Sequence, residues 1–162
     1  MKSNQISKFI FANILLICFA GPTFAKAESH STAHKLSPVG RPADANKAMK
    51  KVSVIASDDM KFKFLQPVEF NDGDIVTFEV TNAGKIPHEF SIGDEKEQKD
   101  HQEMMRKMPN MVHKHGNTIT LKPGETKTLT WEFKSGNDVV FACNVPGHYE
   151  AGMYRRSTIH VK

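Results

Sequence analysis

From residue 50 onward the chain runs mostly in short stretches in which apolar and polar side chains alternate. The stretches are 52–56, 60–64, 75–80, 88–92, 117–121, 126–133, 138–143 and 157–161. A period of two gives each segment one face to bury and one to wet, which is the pattern of a β-strand. Turn-forming triplets separate several of them, among them Asn71-Asp72-Gly73, Lys122-Pro123-Gly124 and Ser135-Gly136-Asn137. Eight such strands in about 110 residues predict an all-β chain, an antiparallel sandwich of two sheets. One segment departs from the pattern. Residues 94–108, "DEKEQKDHQEMMRKM", open on acidic residues, contain strong helix formers and stop at Pro109. They predict a helical insertion between strands.

The sequence upstream is of a different kind. Lys2 and Lys8 precede an apolar run over residues 9–20, followed by Gly21, Pro22 and the small-residue exit Ala25-Lys26-Ala27. This predicts a signal peptide over residues 1–27, with cleavage near Ala25–Ala27 and export to the periplasm. The run is shorter than the roughly 20 residues that span a bilayer, so no membrane association is required. Residues 28–49 are rich in Ser, Ala, Pro, His and Lys without hydrophobic periodicity, and predict a flexible linker before a domain over residues 50–162.

Export changes the charge and the cysteine count. Three of the 22 Lys and Arg and none of the 18 Asp and Glu precede Glu28, leaving 19 basic against 18 acidic side chains. Nothing in this near-neutral balance argues for nucleic acid, which would need a concentrated basic face. Cys18 goes with the export signal, and Cys143 is then the only cysteine. A lone cysteine in an oxidising compartment can be a buried small hydrophobe, a reactive thiol, an intermolecular half-bridge or a metal ligand. Its neighbours have to decide.

Those neighbours are "CNVPGHYEAGM", in which Cys143, His148 and Met153 recur every five residues on one turn-rich loop between strands. Taken singly, a histidine is more often solvated or satisfied, and a methionine more often core. Together, thiolate and imidazole suit copper or zinc, and a thioether favours copper. Structural zinc usually gathers paired cysteines, absent here. One Cys, two His and a weak axial Met form the blue-copper electron-transfer arrangement. The second histidine must come from another strand, and His88 at the head of "HEFSI" fits better than mid-strand His160.

With "NAGKIPHEFSIG" and "FACNVPGHYEAGM" in view, the chain resembles the cupredoxins, small type 1 blue-copper proteins with a Greek-key sandwich. The likeness spans residues 50–162. The loop spacing is similar to the rusticyanin and auracyanin type, and the wording of both motifs is similar to periplasmic cupredoxins of bacterial copper tolerance. The resemblance implies one copper ion held by His88, Cys143 and His148 in the equatorial plane and Met153 axially. It also implies single-electron transfer with a periplasmic redox protein, copper handling, or both, by a monomer with no catalytic residues. Many cupredoxins carry Asn or Ser after the first histidine, and here Glu89 stands there. That exchange allows a green, more tetragonal centre as well as a blue one.

A second feature lies in residues 101–115, "HQEMMRKMPNMVHKH", which hold three of the eight histidines. His101, Met104, Met105 and Met108 share a helical face. That face either covers an end of the sandwich, since methionine fills gaps, or joins Met111, His113 and His115 as an additional weak copper-binding surface. The first use suits an electron shuttle and the second a copper-sequestering protein.

Overall fold

A computed structural model describes residues 36–109 and 116–161. The predicted export signal therefore lies outside the described residues, as do Met111, His113 and His115. Two sheets form the body. The first runs in the order β1 (Gly40–Pro42), β8 (Thr126–Phe133), β5 (Ile75–Asn82), β2 (Lys50–Ser57), β3 (Lys61–Phe64). The second runs β10 (Tyr154–Ser157), β9 (Val139–Ala142), β6 (His88–Gly93), β7 (Thr118–Leu121). A small two-stranded pairing joins β11 (Ile159–His160) to β4 (Phe70–Asn71).

The alternation read from sequence is the observed burial. In β2 it is Val52, Val54 and Ala56 that turn inward, and in β5 Val76, Phe78 and Val80. Their inner faces meet Phe90, Ile92 and Phe141 of the other sheet in one core. Its centre is aromatic: Phe70 stacks on Phe133 at 4.1 Å between ring centroids, and Phe141 stacks on Phe90 at 5.6 Å.

Three expectations need correction. The sandwich is not wholly antiparallel, because β2 and β5 pair in parallel. A parallel pair needs a long crossover, and residues 58–74, with β3 and β4, supply it. Of the linker expected over residues 28–49, the described part, residues 36–49, contributes to the sandwich. Within residues 36–49, β1 pairs with β8, Val39 is fully buried, and the Val39 carbonyl accepts from the Trp131 indole at 3.1 Å. Finally, the last predicted strand, 157–161, splits. Tyr154–Ser157 extends the second sheet, and Ile159–His160 leaves it for β4.

The predicted helix over residues 94–108 is α1 (Glu95–Lys107). Asp94 caps it, its side chain accepting from the Glu97 amide while the Glu97 carboxylate accepts from the Asp94 amide. The helix lies over the outer face of β6 and β9. Gln98 donates to the Val140 carbonyl at 2.8 Å, and Glu95 pairs with Arg156 of β10 at 2.8 Å. This cover explains why every residue of β6 and β9 is buried, where the sequence reads as half-wetted strands. Among the described residues no helix is long and apolar enough to cross a membrane.

Candidate metal centre

Antiparallel pairing of β6 with β9 brings the start of one strand beside the end of the other. His88 opens β6, and Cys143 directly follows β9. Both continue the inward-facing series of their strands, after Phe90 and Ile92 in one and Val139 and Phe141 in the other. The core thus ends in a sulfur and an imidazole, both fully buried.

His148 arrives on the loop. Its amide donates to the Val145 carbonyl, and the loop closes as the Cys143 amide donates to the Met153 carbonyl and the Met153 amide to the His148 carbonyl, each at 3.0 Å. Gly147 and Gly152 adopt positive φ of 89° and 98° at the bends, a region that costs glycine little. The loop in front of His88 is shaped by buried Asn82, whose amide donates to the Ile86 and Leu121 carbonyls while its oxygen accepts from the Gly84 amide.

The donor atoms of His88, Cys143 and His148 all lie within 4.8 Å of one another. His148 Nδ1 is 3.2 Å from His88 Nδ1 and 3.3 Å from Cys143 Sγ. Met153, fully buried, packs with Cys143 and Ala56. His160 is exposed on β11 and takes no part.

The chemistry of this donor set fits a soft cation. Burial pushes the Cys143 thiol up to about 12, so in the absence of a cation it keeps its proton. A bound metal ion reverses that balance, since the thiolate is the ligand. Burial, with the neighbouring His88 imidazole, holds His148 below the ordinary imidazole range, which keeps its ring neutral and able to ligate. Soft sulfur with two imidazoles selects copper over magnesium or calcium.

The surroundings include residues that sequence reading missed. Asp58, in the turn after β2, has Oδ1 at 3.1 Å from His88 Nε2. Asn144, next to the thiol, donates to Gln98 Oε1 at 2.8 Å and approaches His101 Nδ1 at 3.1 Å. His101 Nε2 in turn lies 3.6 Å from Glu89 Oε2. The expected helical face therefore divides: Met105 is buried and His101 turns into the sandwich, while Met108 is 47% exposed. Only the i, i+3 and i+4 spacing pointed to that face, and spacing does not say which members are buried.

Glu89 is fully buried, its amide donating to Cys143 Sγ at 3.3 Å. Burial pushes its carboxyl from the usual 4.5 to about 7, opposed by bonds from the Thr120 hydroxyl and the Asn144 amide. Between those values the folded chain binds more protons than the unfolded one, so stability falls as pH rises through this window. The metal-free protein should lose up to about 3 kcal/mol between pH 4.5 and 7 from this group alone. Urea unfolding across that range checks it. Glu89→Gln should remove the slope, and an unchanged slope would assign it elsewhere.

Comparison with known proteins agrees with the geometry. Residues 49–162 match the family model described as copper binding proteins, plastocyanin/azurin family. The copper-resistant cuproprotein CopI of Vibrio cholerae serotype O1 is 55% identical over 120 residues, spanning 74% of this chain and 71% of that protein. CopI of Rubrivivax gelatinosus is 37% identical over 135 residues, spanning 83% and 81%. Among solved structures, auracyanin B superposes with a TM-score of 0.58 at 17% identity, covering 79% of this chain and 99% of its own. Auracyanin A of Chloroflexus aurantiacus gives 0.54 at 18%, covering 69% and 98%. The two auracyanins speak for the fold. With the family model covering most of the sequence, the chain belongs to the plastocyanin/azurin family of copper-binding proteins, the cupredoxins.

Proposed function

We propose that this chain is an exported, periplasmic copper-binding protein of copper resistance, holding one type 1 copper through His88, Cys143, His148 and Met153. The observation that carries the reading is the convergence of a buried thiol and two imidazole nitrogens within 4.8 Å at the joined ends of β6 and β9. The names of the CopI relatives support the copper-resistance role. Bound copper supplies one-electron chemistry, which the site can exchange with a periplasmic redox protein. The chain's own part is to give up the Cys143 proton, present a neutral His148 ring and hold Cys143, His148 and Met153 on a braced loop beside His88. His148, partly exposed where the other donors are buried, is the natural side for a partner to approach. The reading assigns the chain no catalytic residue and treats it as a monomer.

Sequestration of further copper by residues 101–115 is the second reading, favoured by exposed Met108 at the C-terminal cap of the helix. His101 and Met105 are already packed against the sandwich, which leaves Met104 and Met108 of the helical members nearest to solvent.

Titration of the purified chain with Cu(II), following visible absorption and bound copper together, tests both. An intense band saturating at one copper is expected. Further colourless uptake, lost when Met104, Met108, Met111, His113 and His115 are replaced, would establish sequestration. Absence of the band would return Cys143 to a buried thiol and overturn the proposal.

A further inference from the structure

The turn after β2 sets a carboxylate directly behind the first histidine. Asp58 Oδ1 lies 3.1 Å from His88 Nε2, and Asp58 Oδ2 accepts from the Lys85 amide at 2.7 Å. Both partners are donors. A carboxylate, with two acceptor oxygens and no proton of its own, satisfies both at once, whereas the carboxamide of Asn satisfies one. The space is shaped for it: a Cβ on Gly84 would stand 1.9 Å from Asp58 Oδ1 and 2.7 Å from its Cγ. Gly84 is itself fixed by the Asn82 side chain, so the carboxylate sits in a built notch between the β2–β3 turn and the loop that leads into His88.

The bond also decides which nitrogen of His88 is available. A carboxylate can only accept, so the proton resides on Nε2 and the lone pair on Nδ1, the atom that faces His148 and lies in the donor cluster. An anionic acceptor on the far side of a ligating imidazole also makes that imidazole a stronger electron donor. A stronger donor favours Cu(II) over Cu(I).

We propose that Asp58 is a positioning residue of the copper centre: it fixes the His88 tautomer and ring orientation and lowers the reduction potential by biasing the site toward the oxidised ion. The inference rests on the type 1 reading above.

The test compares copper-loaded wild type, Asp58→Asn, Asp59→Asn and Gly84→Ala by visible spectrum, copper stoichiometry and reduction potential. Asp59 is the exposed neighbour and removes the same charge without the bond to His88. Gly84→Ala keeps the charge but drives the carboxylate from its notch, and it stands in if Asp58→Asn does not fold. The expected result is that all four retain the band at one copper, while Asp58→Asn and Gly84→Ala lose about tenfold in Cu(II)-over-Cu(I) affinity ratio. For a one-electron couple that is a rise of about 59 mV. Asp59→Asn should move the ratio less than about threefold. Equal small shifts in Asp58→Asn and Asp59→Asn would overturn the proposal, because they would reduce Asp58 to one more surface charge. A wild type without the band would sink the type 1 reading itself, and is told apart by the wild-type spectrum alone.

Discussion

Cys143→Ser abolishes the intense visible absorption of the copper-loaded protein while leaving the fold in place. The band requires a thiolate bonded to Cu(II), and Cys143 is the only free cysteine among the described residues. Serine is close to isosteric, and its hydroxyl oxygen can accept the Glu89 amide bond that Sγ receives at 3.3 Å. The sandwich therefore keeps its backbone. The metal does not keep its soft ligand. Losing an outer hydrogen bond to a ligand costs about 10–100-fold in metal affinity, and losing the ligand itself should cost more. Titration with Cu(II), read by absorption and by equilibrium dialysis, gives both quantities. A serine variant that retained the band would remove Cys143 from the centre.

The largest effect on the fold is expected at Phe141. This residue is fully buried on β9, two positions before Cys143, and its ring lies 5.3–5.9 Å from those of Phe64, Phe70, Phe78 and Phe90. Phe141→Ala removes the side chain that the aromatic core closes around. A buried Phe→Ala change costs about 3–5 kcal/mol, a large share of the 5–15 kcal/mol typical of a whole domain. Urea unfolding of the metal-free variant should show that loss as a lowered midpoint. Copper should restore part of it, since an ion that binds only the folded chain adds RT ln(1 + [L]/Kd) to stability. A loss below about 1 kcal/mol would mean that the core re-closes without this ring.

What could be read from sequence, and what could not, divides along chain separation. The strands were legible because alternation is local: Val52, Val54 and Ala56 announce an inward face without reference to anything else. The helix was legible for the same reason, since Asp94, Glu97 and Pro109 mark its ends within one turn of each. Cys143, His148 and Met153 stood out because one loop carries all three. His88 required a partner strand, and its place at the head of an alternating run supplied the argument.

The parts that escaped depend on contacts between distant segments. The parallel register of β2 with β5 has no signature in either strand alone. Asp58 lies thirty positions before the histidine it supports, in a turn where Asp is ordinary. Gln98 reads as a helix former, and only its burial over Val140 gives it a second task. Glu89 was conspicuous as a substitute for Asn or Ser, yet its approach to His101 becomes visible only when α1 lies across the sheet. The short strand β1 was hidden in a polar, proline-containing lead-in. Its place was decided by Val39, whose carbonyl Trp131 claims.

The outer strands of the two sheets have a consequence for solubility. The first sheet ends in β3, with Lys61 and Lys63 exposed, and in three-residue β1, with Arg41 and Pro42 exposed; β10, at one end of the second, exposes Arg155 and Arg156. Short, cationic or proline-bearing borders resist the strand-to-strand addition by which sheet proteins polymerise. On the one-copper reading proposed above, binding capacity rises only in proportion to the number of chains. Borders of this kind oppose the loss of chains to strand-to-strand aggregation, which on that reading keeps the amount of metal held tied to synthesis.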